Sequence, residues 1–198
     1  MKYLIPFLLL FFIACSSQEV IFQKKPLSFY KEIEKRKQSI EKGFFKFNLW
    51  KDPFSNDVIN ETNYPLIYER KSRFKPNLHT WYFYDKDSII KGIWYNWGLY
   101  NPVFNPKKNI KYLNDLTQNQ KEFQVKFNDI KREISLKYGN PIFDEEIKNN
   151  SQRIIRKVKW EKDMLIIKLT MVFTKVILED PVIGIDAQFN VRLEGYFN

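Results

Sequence analysis

The apolar residues between Thr117 and Phe197 change their spacing once, from the period of a helix to that of strands, and the same order is written earlier between Ser28 and Trp97. A helix hides a stripe and a strand hides a face, so a chain of this pattern satisfies both only by laying helices against a sheet. In the later stretch Phe123, Phe127, Ile130, Ile134 and Tyr138 recur at helical spacing. They fall in one narrow arc at about 100° per residue, with Val125 and Leu136 opposite. Thr117-Gln118-Asn119-Gln120 has the form of a capping box, and Tyr138-Gly139-Asn140-Pro141 is a helix stop.

After a polar connection, strands are predicted over 153–160, 164–173 and 185–197. Leu165, Ile167, Leu169, Met171 and Phe173 would share one face, as would Phe189, Val191 and Leu193. Glu161-Lys162-Asp163 reads as the turn between the first two. In the earlier stretch a helix is expected over 28–42, from Phe29, Ile33 and Ile40, with Ser28 capping it and Gly43 ending it. A strand over 43–50 follows, then a Pro- and Asn-rich loop over 51–77 with a short strand at 66–70. An aromatic hairpin comes next, 78–84 and 88–97, turned by Asp85-Lys86-Asp87. The fold class expected is therefore α+β: an antiparallel sheet with helices packed on one face, divisible into two helix-then-strands halves with no residue-level repeat. The helix stop at 138–141 followed by a Trp-bearing strand is similar to a pattern in small envelope lipoproteins, including the assembly-factor lipoproteins of the outer-membrane barrel machinery. It covers about a third of the chain and carries no function across.

The first fifteen residues follow a different logic. Lys2 precedes an uncharged apolar run from Tyr3 to Ala14. At about 1.5 Å per helical residue that run cannot cross a hydrocarbon layer about 30 Å thick, so it reads as a signal peptide. Its end, Phe12-Ile13-Ala14-Cys15 followed by Ser16-Ser17, resembles the lipobox of bacterial lipoproteins. The resemblance implies cleavage before Cys15, a diacylglyceryl group on its thiol, and acylation of the new amine. Ser16 after the Cys implies release to the outer membrane rather than retention. Cys15 is the sole cysteine, so it has no disulfide partner within the chain. Two or three acyl chains make such anchoring stable where one holds only marginally. The expected division is a signal peptide over 1–14, a lipidated N-terminus and tether over 15–27, and one α+β domain over 28–198. Lys24 and Lys25 of the tether are placed to meet anionic head groups.

The net charge of +10 arises from 26 Lys and 7 Arg against 23 acids. These cations are spread along the chain and alternate with acids, as in Lys31-Glu32-Ile33-Glu34-Lys35. A nucleic-acid protein concentrates them in a patch among reading side chains, so no nucleic-acid partner is expected. With His79 as the lone imidazole, neither a zinc site of Cys and His nor a hydrolytic triad is expected, and no glycine-rich phosphate cradle occurs. Asp85, Asp87, Asp144, Glu145, Glu146, Glu179 and Asp180 could in principle supply a carboxylate pair, but all fall in expected turns or polar connections, where acids are ordinarily solvated.

The more informative group is the aromatic hairpin, Trp81-Tyr82-Phe83-Tyr84 with Trp94-Tyr95-Asn96-Trp97. Large rings occupy both of its faces although a core needs one. Trp81, Tyr84, Trp94 and Trp97 are thus the candidate binding residues, unless the second face is covered from within. The sequence leads to a noncatalytic, lipid-anchored envelope protein that binds or scaffolds an envelope component, without cofactor or metal. The alternatives are a glycan- or lipid-binding module using an aromatic sheet face and, behind it, a carboxylate hydrolase.

Overall fold

The fold is that of a computed structural model, which describes residues 20–44, 64–72, 74, 76–98, 120–149, 153–174 and 189–197. Its elements run α1 (Leu27–Arg36), β1 (Ile40–Phe44), β2 (Leu66–Arg70), β3 (Leu78–Tyr84), β4 (Ile90–Gly98), α2 (Gln120–Tyr138), β5 (Phe143–Asn149), β6 (Arg153–Lys162), β7 (Leu165–Thr174) and β8 (Phe189–Phe197). One helix followed by four strands therefore occurs twice. The strands form a single antiparallel sheet in the order β1-β2-β3-β4-β8-β7-β6-β5. Each half is a meander, and the halves join edge to edge through their last strands, β4 and β8.

Register sorts the side chains into two faces. Leu66, Tyr82, Ile93, Gly195, Ile167 and Trp160 lie side by side across six strands, and these strands carry Tyr68, Arg70, Tyr95, Trp97, Leu193 and Leu169 on the same face. The main core is built on this face. The opposite face carries a smaller buried cluster of Ile67, Trp81, Phe83, Trp94 and Tyr196.

The helix α2 meets its expectation where it can be followed. Phe123, Phe127, Ile130 and Ile134 are buried, while Val125 and Leu136 stand 51% and 84% exposed. Burying each of the four contributes about 1.5–3 kcal/mol. The helix seats on β6 through a Trp160 indole N–H donated to Ser135 Oγ at 3.2 Å, and its Lys126 lies over the Trp97 ring at 4.5 Å. Gly139, at φ +94°, ends it and donates its N–H to the Ser135 carbonyl at 2.9 Å. The residues 117–119 of the capping box lie outside the described residues.

The helix α1 is shorter than its spacing suggests. Gln38 takes a left-handed conformation at φ +53°, its N–H bonds Lys35 O, and the Ser39 N–H bonds Glu34 O, both at 3.0 Å. This double closure stops the helix at Arg36, and Ile40 and Gly43 pass into β1. Ser28 is not the cap either. Pro26 takes the N-cap place without a side-chain bond, and the Leu27 N–H goes instead to Ser88 O at 2.8 Å. On its inner side Tyr30 meets the Tyr82 ring at 4.9 Å between centroids, and Glu34 bonds Arg70 and Tyr82.

The hairpin turns where expected. Asp85 Oδ1 accepts the N–H groups of Asp87 at 3.0 Å and Ile89 at 2.9 Å, and Ser88 takes φ +61°. One further expectation needs correction. The polar connection holding Asp144, Glu145 and Glu146 is the edge strand β5, whose charges suit an unpaired border. The segment from Val20 to Leu27 packs on the sheet. Val20, Phe22 and Leu27 are buried, Ile21 exchanges backbone bonds with the Tyr95 hydroxyl at 2.9 Å, and the Ile90 N–H donates to Lys25 O. A β-carbon on Gly195 would overlap the ring of Phe22, so this glycine makes room for the segment. Residues 1–19, on which the expected signal peptide and Cys15 fall, and residues 45–63, 99–119 and 175–188 lie outside the described residues.

Candidate functional site

The four aromatic candidates do not form one surface. Trp81 and Trp94 are cross-strand partners whose rings stand 5.8 Å apart in the smaller cluster. Trp97 is three residues from Trp94, an odd step, and is buried in the main core, with Tyr84 packed half-buried against that same core. Period two along β4 and the irregularity between Phe83 and Tyr84 account for the division. Trp81 and Trp94 are themselves only 3% and 7% exposed.

The Trp94 neighbourhood is polar at its edges. The indole N–H donates to the Tyr196 hydroxyl at 3.0 Å, which in turn donates to Glu194 Oε2 at 2.7 Å. Arg192 lies over the Trp94 ring at 5.2 Å and within 3.1 Å of Glu194. Burial, and then the Glu194 charge, push the Tyr196 hydroxyl well above its ordinary range, so it remains a donor. On the same face, His79 stands opposite Asn96, and Asn96 opposite Arg192. Desolvation holds His79 below its usual value despite Glu69 nearby, so it is neutral. The buried Oδ1 atoms of Asn96 and Asn190 accept no hydrogen bond.

A second charged group lies on the core face, and periodicity alone did not single it out. Glu34 is 1% exposed and Arg70 5%. Arg70 reaches the carboxylate with Nε at 2.8 Å and with Nη2, and the hydroxyls of Ser39 and Tyr82 also donate to it. Burial pushes the Glu34 carboxyl up, but the Arg70 bonds and charge outweigh this and hold it below the usual carboxylate range. With four donors on two oxygens, this carboxylate has no capacity left to act as a base. Its signal in the sequence is a charge at position 34, on the arc of α1 that also holds Tyr30 and Ile33.

Of the other acids singled out in the sequence, Asp144, Glu146 and Asp85 are tied to cations or a turn, and Glu145 stands exposed on β5. Asp144 pairs with Lys131 of α2, and Glu146 lies 3.4 Å from Arg156. Asp85 is held low by the backbone N–H groups of its turn. Glu179 and Asp180 lie outside the described residues. Among the described residues no group of three His, Cys, Asp or Glu side chains stands ready to hold a metal, and no helix is long and apolar enough to cross a membrane.

The segment that precedes α1 also packs on the sheet. The strip from Val20 to Lys25 follows β4: Lys25 O is bonded by Ile90 N, Gln23 exchanges bonds with the Tyr30 hydroxyl, and Phe22 sits over Gly195 and meets the Tyr95 ring at 5.6 Å. Comparison with protein-family models, with curated proteins and with solved structures finds no match to the chain.

Proposed function

We propose that this chain is a lipid-anchored protein of the bacterial cell envelope, probing or holding another envelope component through a noncatalytic α+β domain with both helices on one face of its sheet. The observation that carries the anchor is the sequence Phe12-Ile13-Ala14-Cys15-Ser16 with its sole cysteine, followed within five residues by an ordered domain. The helix arrangement is supported by one row of the register. Trp160 bonds α2, Gly195 receives Phe22, and Tyr82 meets α1, all in line on one side.

That arrangement leaves the face of Trp81, Trp94, Asn96, Asn190 and Arg192 turned away from the helices. The polar groups on that face, Arg192, His79 and the two Asn side chains, make it the side we assign to a protein partner. The burial of Trp81 and Trp94, with the Trp94 N–H already bonded, weighs against an open sugar-stacking groove and favours a protein partner over a glycan. The saturated Glu34 and the paired acids of β5 weigh against hydrolysis.

Substituting Cys15→Ala tests the anchor. The variant is expected to leave the membrane fraction and keep its fold. Full membrane retention of an unmodified chain contradicts the proposal.

A further inference from the structure

We infer that the helix-bearing side of the domain rests on the membrane, with the basic outer stripe of α1 on anionic phospholipid head groups and the outer stripe of α2 against the bilayer surface. This deepens the proposed function and rests on the anchor at Cys15.

The first argument is one of length. The chain is stitched to the domain from Val20 by Tyr95, Tyr30 and Ile90, so only five residue steps separate Cys15 from a fixed point. Five steps reach at most about 17 Å. The strip at 20–25 lies over β4 and β8, between α1 over β3 and α2, which is centred over β7. Strands β3 and β7 are three spacings apart, about 14 Å, so the strip fills the gap between two helices each about 10 Å wide. An anchor leaving that groove uses roughly 5 Å, a helix radius, merely to clear the helices. About 12 Å of reach then remains, which keeps the helix layer near the bilayer.

The second argument is chemical complementarity. The exposed charged positions between 24 and 38 are Lys24, Lys25, Lys31, Lys35, Arg36 and Lys37, with Glu32 the acid among them. Glu34, the other acid of the helix, is turned inward to Arg70. Cations near an anionic surface are attracted to it, so the sign of this stripe selects anionic lipid over zwitterionic lipid. On α2 the outermost stripe carries Lys121, Val125, Arg132 and Leu136. Leu136 and Val125 are large apolar side chains left in the open three turns apart, with Lys121 and the Arg132–Asp129 ion pair beside them, so this stripe offers the bilayer apolar contact rather than net charge.

The test uses the lipidated protein, its N-terminal modification first verified by mass, in vesicles of phosphatidylethanolamine and phosphatidylglycerol. A fluorophore is attached at Leu136→Cys or Lys35→Cys, and in a third preparation at Glu145→Cys on the opposite sheet face, with a quencher carried on the lipid head groups. The expected result is strong quenching at 136 and 35 and little at 145. Lys31→Glu/Lys35→Glu/Arg36→Glu should lose the quenching at 136, as should phosphatidylcholine vesicles, while circular dichroism shows the fold retained. Equal quenching at all three sites, or stronger quenching at 145, overturns the inference while leaving the anchor intact. Quenching at 136 that is the same in both vesicle types overturns the role of anionic lipid. A chain without lipid at Cys15 fails at the mass measurement, which marks the failure of the anchor rather than of the orientation.

Discussion

The two halves share an order of elements but hold their helices by different means. Helix α1 is short and is fixed by a buried ion pair, Glu34 with Arg70, backed by Tyr82, Ser39 and the Tyr30 ring. Helix α2 is nearly twice as long and is fixed by Phe123, Phe127, Ile130 and Ile134 on an apolar bed of Val158, Trp160, Leu169 and Met171. A long helix gathers enough apolar area to dock without a specific bond. A ten-residue helix buries little, and polar geometry then fixes where it sits.

The difference predicts opposite behaviour in double variants, and this is the largest expected effect. Glu34→Met leaves Arg70 buried and unpaired, and should cost about 3–5 kcal/mol. Phe127→Ala should cost about the same, roughly 3–5 kcal/mol, by leaving a cavity. Adding Arg70→Met to the first variant should restore most of its stability, because the stranded charge goes. Adding Ile134→Ala to the second should deepen its loss. Denaturant midpoints for the four proteins check this, and an additive loss at Glu34 and Arg70 would erase the distinction.

A smaller effect is expected at the seam. Gly195→Ala forces its new methyl against Phe22 and should cost about 1–3 kcal/mol. Phe22→Ala in the same chain should recover part of it, measured as a rise in thermal midpoint over the single variant. The strip at 20–25 would be shown to lie elsewhere if Gly195→Ala were neutral.

The smallest effect is one of pH, and it belongs to the first half. His79 and Glu34 both have folded values below their unfolded ones, so the unfolded chain binds more protons as the pH falls. Stability from His79 is complete above its unfolded value of about 6.5 and is lost below it, and that from Glu34 is lost below about 4.3. His79→Gln should remove the first decline and leave the second, as read from midpoints between about pH 8 and about pH 3. A decline that persists unchanged in His79→Gln would assign it to another group.

Much of the sheet was legible because its signals are local. The turn at Asp85, the stop at Gly139 and the alternation from Leu165 to Phe173 each need only their neighbours in the chain. The rest depends on contacts that are distant in sequence. β5 reads as polar because an edge strand in this sheet is covered by charges rather than by a core. Ile40 continues the helical spacing of Ile33, but the closure at Gln38 and the pairing of β1 with β2 override it. Val20 and Phe22 look like isolated apolar residues in a tether until Gly195, far along the chain, supplies their seat. The candidate site was legible to the extent that both hairpin faces carry rings. Which ring joins which face required the register of β3 and β4.

The account depends most on Cys15, where the sequence resembles a lipoprotein's first mature residue five positions before the domain begins. The direct measurement is the intact mass of the native protein recovered from its membrane. The account predicts a chain that starts at Cys15 and carries the added mass of a diacylglyceryl group and an amide-linked acyl chain. A chain with the leader still attached, or with a free thiol at Cys15, would contradict it.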